Sequence, residues 1–175
     1  LPGAATLYND IPAGPFAHVE VAYRHGCALR ENGTLLCWGE QSYASSVPAT
    51  GLTFLSGRIA PYQTCGLMTD GLVKCWGPTQ FGFTNVPEDV IFGRLSVGWW
   101  HACGLAADTG KAHCWGGTTG VGAAGQADVP DVEETYWDIA TGQVNTCVVT
   151  HENKIRCWGK PNYIDQNIPD AYLIP

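Results

Sequence analysis

The chain has 175 residues, the length of a single domain, and only 14% of them are charged, against roughly 25% in an average soluble protein. Its 22 Gly and 11 Pro argue against coiled coils and helical bundles, and its 45% hydrophobic content argues against disorder. A net charge of −7, with nine scattered Lys and Arg, argues against nucleic-acid binding, which requires phosphate neutralisation.

The first predicted unit is a short strand, Val19–Ala22, followed by a β-hairpin. The hairpin runs from Cys27 to Cys37 and turns at residues 31–33, where Gly33 tolerates a left-handed backbone. Pairing residues 30 and 34 places the two Cys opposite each other, with β carbons about 4.5–5.5 Å apart, which is close to disulfide range. The spacing therefore predicts a cross-strand disulfide.

The same elements recur three more times along the chain. The first strands are predicted at Gly57–Ala60, Leu95–Gly98 and Ile139–Gly142, and the turn residues are Gly71, Gly110 and Asn153. A branched aliphatic residue followed by Pro recurs five times, at Ile11-Pro12, Val47-Pro48, Val86-Pro87, Val129-Pro130 and Ile168-Pro169. Because Pro is tolerated on a sheet edge, these segments are predicted to form a fourth, outer strand.

The eight Cys form four local pairs, with nine, nine, ten and nine residues between partners: Cys27/Cys37, Cys65/Cys75, Cys103/Cys114 and Cys147/Cys157. Zinc ligands usually stand two to four residues apart, so this spacing is poor for a metal site. An even count with local pairing predicts four disulfides, an oxidising compartment and secretion. Reduced core Cys in a cytosolic protein is the alternative.

Each second Cys opens a Cys-Trp-Gly tripeptide: Cys37-Trp38-Gly39, Cys75-Trp76-Gly77, Cys114-Trp115-Gly116 and Cys157-Trp158-Gly159. The copies are spaced by 38, 39 and 43 residues, a period typical of propellers and other repeat folds. The repeated Trp are predicted to pack between repeats, since a residue present in every copy belongs to the scaffold.

The pattern aliphatic-Ala-x-Gly-x-x-His-x-Cys, then a turn with Gly, then Cys-Trp-Gly, resembles the repeats of the regulator of chromosome condensation family. The secreted beta-lactamase inhibitory proteins of type two share that repeat. The third copy, from Ser96 to Gly116, is the most similar; the His position holds His25, Gln63, His101 and Asn145, so two copies depart from it. The resemblance covers essentially the whole chain and implies a fold rather than a function.

The resemblance implies an all-β protein, residues 1–175, built as a small β-propeller of four short-stranded blades with one disulfide in each hairpin. The repeats span approximately 13–50, 51–89, 90–132 and 133–170. Related proteins usually have seven blades. A closed four-bladed ring is favoured here; an open arc, a piece of something longer, and oligomerisation through an exposed terminal strand remain alternatives.

Catalytic motifs are absent from the sequence: it holds no Gly-x-Ser-x-Gly, no His-Glu-x-x-His and no phosphate loop of the Walker type. We therefore predict no catalytic residue, no cofactor and no metal. No apolar stretch approaches the roughly 20 residues of a spanning helix, so no membrane insertion is expected.

The candidate binding residues lie in the loops before each first Cys, which differ between copies. Their tips read Tyr23-Arg24, Pro61-Tyr62, Trp99-Trp100 and Gln143-Val144, and propeller loops of this kind emerge on one face. Because Tyr, Trp and Arg are enriched at binding hot spots, the predicted partner-binding residues are Tyr23, Arg24, Tyr62, Trp99, Trp100, His101 and Gln143. Unconstrained drift is the alternative explanation for their variation.

The function predicted from these features is a secreted, non-catalytic binding protein that engages a protein partner through this loop face, as an inhibitor or effector does. The resemblance supports the choice of face, since the inhibitory proteins cover an enzyme with one loop face. A multivalent glycan-binding lectin is the alternative; it would reuse the same contact residues in every blade, whereas these tips differ.

Overall fold

The computed structural model describes residues 13–22, 25–39, 54–60, 62–77, 82–117 and 123–160. This part of the chain forms four three-stranded antiparallel sheets, each a meander of consecutive strands, and contains no helix. The fold is therefore all-β, as the sequence predicts. Within these ranges no helix is long and apolar enough to cross a membrane.

The four sheets are the blades, numbered in chain order. Blade 1 holds β1 (His18–Val21), β2 (His25–Leu29) and β3 (Leu35–Gly39). Blade 2 holds β4 (Phe54–Ala60), β5 (Gln63–Met68) and β6 (Val73–Trp76). Blade 3 holds β7 (Phe92–Val97), β8 (His101–Ala106) and β9 (Ala112–Gly116). Blade 4 holds β10 (Tyr136–Thr141), β11 (Asn145–Thr150) and β12 (Ile155–Gly159).

The hairpins and disulfides follow the sequence prediction in every blade. The two Cys of each pair lie directly opposite in the strand register, and all four pairs are bonded, with Cα atoms 4.0–4.1 Å apart. The predicted turn residues Gly33, Gly71, Gly110 and Asn153 adopt positive φ angles of 80°, 83°, 70° and 60°. The left-handed residue at the end of each turn therefore sets the register that brings the Cys together.

The first strands of blades 2, 3 and 4 begin earlier than predicted. They start at Phe54, Phe92 and Tyr136, and each contains a register shift just after that aromatic residue. Phe92 and Tyr136 are only 2% and 3% exposed, so in blades 3 and 4 the aromatic side chain anchors the start of the strand in the core. Because a bulge interrupts the two-residue alternation, the sequence pattern alone does not reveal this extension.

The predicted fourth strand is wrong at the two aliphatic-Pro segments that the structure describes. Val86-Pro87 and Val129-Pro130 lie outside the strands. The amide of Val129 donates to Ala127 O and that of Val132 to Pro130 O, so the amides around Pro130 bond locally rather than in a ladder. Val86 and Val129 instead pack against the core as partly buried side chains. The other three segments lie outside the described residues.

The core lies between the blades. The first strand of each later blade contacts the first two strands of the blade before it. The three clusters, in order along the chain, are Cys27, Leu29, Leu35, Met68 and Trp76; then Cys65, Leu67, Val73, Phe92, Leu95, Ala102 and Trp115; then Cys103, Leu105, Tyr136, Ile139, Val148 and Trp158.

The repeated Trp therefore pack between blades at three positions, as predicted. Trp76, Trp115 and Trp158 are 4–8% exposed, and burial of a side chain of this size contributes roughly 2–3 kcal/mol or more. Trp38 in blade 1 is only half-buried. The closed ring and the repeat boundaries stay predictions.

Candidate functional site

Three aromatic side chains from the loops of blades 2 and 3 form one cluster. The ring of Tyr62 stacks on that of Trp100, with centroids 4.8 Å apart and planes 25° apart. The same Tyr62 ring meets Trp99 edge to face, at 6.5 Å and 80°. Aromatic pairs in these geometries contribute about 0.5–1.5 kcal/mol each beyond their area burial. The three side chains, called the aromatic cluster below, are thus fixed by one another.

The aromatic cluster has an exposed side. Trp99 is 42% exposed, whereas Tyr62 and Trp100 are half-buried. The amide of Trp99 donates to Gly142 O at 3.2 Å, which ties the loop of blade 3 to the loop of blade 4. Gln143, next to that carbonyl, is exposed. The loops of blades 2, 3 and 4 therefore present Tyr62, Trp99 and Gln143 in one neighbourhood.

Gly98 permits the close approach of these two loops. A Cβ at this position would collide with Gly142 O and would lie 3.1 Å from Cε1 of His101. The residue preceding the exposed Trp99 is therefore held between a backbone carbonyl and a buried ring. The backbone that carries the aromatic cluster is set by packing as well as by hydrogen bonds.

Buried polar contacts beneath the loops join each blade to the next. Nε2 of His25 lies 3.0 Å from Oγ1 of Thr64, linking blades 1 and 2. The amide Nε2 of Gln63 donates to Gly98 O at 2.8 Å and to His101 O at 2.9 Å, linking blades 2 and 3. These contacts, together with the one between blades 3 and 4 that is described next, are called the inter-blade belt.

The last contact of the belt joins blades 3 and 4. Nε2 of His101 lies 2.7 Å from Oγ1 of Thr146, and that hydroxyl donates to Gln126 O at 2.8 Å. Because the hydroxyl proton is used on Gln126, Thr146 accepts from Nε2–H of His101, which fixes the tautomer of the ring. The indole Nε1 of Trp158 donates to the same Gln126 carbonyl at 3.0 Å.

Burial keeps both belt histidines neutral. Desolvation lowers the pKa of His101 from 6.5 to about 4, and it also lowers the pKa of His25. A neutral imidazole both donates and accepts, which suits the contacts that these rings make with threonine hydroxyls. The belt is therefore a structural element rather than a set of titrating groups at neutral pH.

The predicted site residues have different places in the structure. Tyr62, Trp99 and Trp100 come together, and Gln143 is exposed on the blade 4 loop whose Gly142 carbonyl accepts from the Trp99 amide. His101 departs from the expectation of a direct partner contact, because its side chain is fully buried and supports the loop from below. Tyr23 and Arg24 lie outside the described residues.

Sequence reasoning missed the belt residues Thr64, Thr146 and Gln126, all of which are fully buried. One signal for the first two was present: Thr directly precedes the first Cys in blades 2 and 4, where blades 1 and 3 have Gly26 and Ala102. Nothing in the repeat marks Gln126, which lies in the long connection between blades 3 and 4.

In the described ranges, no three His, Cys, Asp or Glu side chains are grouped to hold a metal ion. The expectation of no metal and no cofactor stays a prediction. What the arrangement offers chemically is an aromatic surface on which Trp99 is exposed.

Residues 17–44 match the Regulator of chromosome condensation (RCC1) repeat family. No curated protein matches the chain. The ectodomain of the Physcomitrella patens receptor kinase CR4 is 22% identical with a TM-score of 0.71, and the match covers 91% of this chain and 45% of that one. The CRINKLY WD40 ectodomain of the Arabidopsis thaliana receptor kinase ACR4 is 23% identical with a TM-score of 0.64, covering 81% and 49%.

Prp20p from Saccharomyces cerevisiae is 18% identical with a TM-score of 0.65, and the match covers 89% of this chain and 48% of that one. The chain thus spans about half the length of the solved structures that it matches. The shared fold defines it as a protein of β-propeller repeats. Those repeats are RCC1-like, and each blade holds a cross-strand disulfide.

Proposed function

We propose that the chain is a secreted, non-catalytic binding protein that engages a protein partner through the aromatic cluster, with Gln143 at its edge. The observation that carries the proposal is the joined geometry of the cluster. Tyr62 stacks on Trp100 and braces Trp99, which keeps 42% of its surface exposed. Rigid aromatic side chains held in place by their neighbours are typical anchors of protein interfaces.

The loop of blade 1 extends this face in the proposal. Tyr23 and Arg24 occupy the loop position of blade 1 that Tyr62 occupies in blade 2. Both residue types are enriched at binding hot spots. The partner surface that suits such a face is apolar or amphipathic at its centre, with acceptors for an arginine at its rim.

Secretion and protein binding each have separate support. Four disulfides are typical of oxidising compartments, and two of the similar structures are receptor ectodomains. Prp20p is described together with its binding properties to Gsp1p and histones, so a propeller with this fold serves protein binding there. We extend protein binding, as an inhibitor or effector performs it, to this chain.

The lectin alternative has less support. A multivalent lectin repeats its contacts in each blade. Here blade 2 offers Tyr62, blade 3 offers Trp99 and Trp100, and blade 4 offers Gln143. A face assembled from different side chains in each loop suits a single protein epitope better than several equal sugar sites.

The proposal is tested by comparing two tryptophans of equal exposure. Trp99 is 42% exposed in the cluster, and Trp137 is 43% exposed on β10 with Arg94 over its ring. The immobilised chain is exposed to extracellular proteins of its source organism, and the proteins retained by the wild type, Trp99→Ala and Trp137→Ala are identified. Loss of a hot-spot aromatic typically weakens binding by about 2 kcal/mol or more, roughly thirtyfold.

We expect Trp99→Ala to lose the partner and Trp137→Ala to keep it. If Trp99→Ala retains the same proteins as the wild type, the aromatic cluster is not the partner-binding face. If the wild type binds to a glycan array and Trp99→Ala loses that binding, the face binds a sugar rather than a protein partner.

A further inference from the structure

The two ends of the blade series expose faces that are buried at every junction between blades. We call the face toward the preceding blade the leading face and the face toward the following blade the trailing face. Strand register defines equivalent positions: Glu20, Ser96 and Ala140 each pair with the first Cys of their own blade. Val19, Leu95 and Ile139, one residue earlier, are therefore equivalent.

The leading face of blade 1 is apolar and exposed. Leu95 and Ile139 are each 7% exposed, because the preceding blade covers them, whereas Val19 is 59% exposed. The Trp of the Cys-Trp-Gly motif follows the same trend. It is buried in blades 2, 3 and 4, but Trp38 of blade 1 is half-buried. Among the described residues, no blade therefore covers this blade-packing face of blade 1.

The trailing face of blade 4 is the complementary case. Leu35, Val73 and Ile155 are equivalent, since each pairs with the residue two positions after its first Cys. Leu35 and Val73 are 4% and 7% exposed, whereas Ile155 is 48% exposed. Its strand partner Val149 is half-buried, while Leu29 and Leu67 at that position are buried.

The two residues before the first Cys of each blade indicate that these two faces are complementary. Blades 1 and 3 carry a His and then a small residue before the first Cys, and blades 2 and 4 carry an amide and then Thr. At the junction of blades 2 and 3, the amide of Gln63 bonds the carbonyls of Gly98 and His101. Asn145 holds the Gln63 position in blade 4. A junction from blade 4 to blade 1 therefore repeats the residue pattern of the junction from blade 2 to blade 3.

We propose that the trailing face of blade 4 packs on the leading face of blade 1 in a second copy of this chain, and that two such junctions close a ring of two copies. Head-to-tail contacts close into rings when the rotation permits. Two copies supply eight blades, within the range of about four to eight that propellers use. The chain's own blade 1 is one competing occupant, but Val19 and Ile155 remain exposed in the single chain.

The test measures mass in solution. The wild type is examined by size exclusion with light scattering across a concentration series, and we expect twice the chain mass of 18.7 kDa. Val19→Lys and Ile155→Lys place a charge on one face each, at positions exposed enough to leave the fold intact, and we expect both to give the mass of one chain. The matched control is Val132→Lys, at a residue that is 43% exposed in the connection from β9 to β10, and we expect it to keep the wild-type mass.

A mixing experiment tests the direction of the contact. Val19→Lys keeps an intact trailing face and Ile155→Lys an intact leading face, so the mixture can form one undamaged junction that neither variant forms alone. We expect the mixture to associate at concentrations where each variant is a single chain. Circular dichroism spectra equal to that of the wild type show that the variants are folded.

Two results would overturn the proposal: a wild-type mass of one chain at every concentration, or a dimer that both Lys variants leave unchanged. The proposal is independent of partner binding. Trp99→Ala, which tests the aromatic cluster, is expected to keep the wild-type mass.

Discussion

Nε2 of His101 lies 2.7 Å from Oγ1 of Thr146, and this contact between two fully buried side chains joins blade 3 to blade 4. The hydroxyl uses its proton on Gln126 O, so the ring donates to it. Among the described residues, Nδ1 of His101 has no hydrogen-bond partner. Only the neutral ring fits, because protonation would bury both a charge and an N–H without an acceptor.

We expect this ring to make stability depend on pH. Burial lowers the pKa of His101 from 6.5 to about 4, so between these pH values the unfolded chain binds a proton at His101 that the folded chain does not bind. The contribution is complete above the unfolded pKa and is lost progressively as the pH falls from that value to the folded one. Between pH 7 and pH 5 it decreases by about 2 kcal/mol, measurable by urea denaturation at each pH.

The matched variant for that measurement is His101→Gln, since Gln63 occupies the equivalent position in blade 2 and donates through its amide. A glutamine does not titrate. The wild type and the variant are expected to diverge as the pH is lowered, with the wild type losing more stability. Parallel curves would contradict the assignment to His101.

Trp115 and Trp99 are expected to differ sharply in their effect on stability. Trp115 is 4% exposed and packs on Phe92, with centroids 5.6 Å apart, whereas Trp99 is 42% exposed. Truncation of a buried Trp typically costs about 3–5 kcal/mol, whereas Trp99→Ala loses mainly its edge-to-face contact with Tyr62, about 0.5–1.5 kcal/mol. Trp115→Ala should therefore loosen or unfold the domain, and Trp99→Ala should not. A normal melting temperature for Trp115→Ala would disprove its packing role.

Removal of one disulfide is expected to destabilise the fold without abolishing its hairpin. Cys103 and Cys114 are joined across β8 and β9, eleven residues apart in sequence. Loss of a bridge over a loop of this length typically costs about 2–4 kcal/mol. The double variant Cys103→Ala/Cys114→Ala should lower the free energy of unfolding by that amount, seen as a lower urea midpoint, while retaining the β-sheet circular dichroism. An unchanged midpoint would show that the bridge contributes nothing to stability.

The scaffold could be predicted because its signals are local and repeated. The turn residue Asn153, in place of glycine, still occupies a left-handed turn, and the spacing of Cys147 and Cys157 then dictates their register. The extension of β10 back to Tyr136 was missed because a bulge breaks the alternation there. The prediction of an outer strand at Val86-Pro87 was wrong, because Pro is tolerated in an edge strand but does not by itself indicate one.

The candidate site could be predicted only in part. Loop position indicated Tyr62, Trp99 and Trp100, but their mutual contact depends on the angle between blades 2 and 3, which no spacing reveals. His101 lies beside Trp99 and Trp100 in sequence and yet is fully buried, since the strand begins at that residue. The contacts of Gln126 depend on a long connection outside the repeat.

Gly98 is expected to be intolerant of any side chain. A Cβ there would collide with Gly142 O and press on the ring of His101, so the two loops must separate or the backbone must shift. Gly93 lies in the same blade, but a Cβ there would meet Ala107 at 3.4 Å and 3.5 Å, which its neighbours accommodate.

Gly98→Ala should cost about 2 kcal/mol or more, lowering the melting temperature by roughly 4–8 °C, whereas Gly93→Ala should change it little. Scanning calorimetry of both variants compares them directly, and equal melting temperatures would contradict the close approach of the blade 3 and blade 4 loops. Because Gly98 directly precedes Trp99, Gly98→Ala should also weaken any partner binding that Trp99→Ala abolishes, and Gly93→Ala should preserve it.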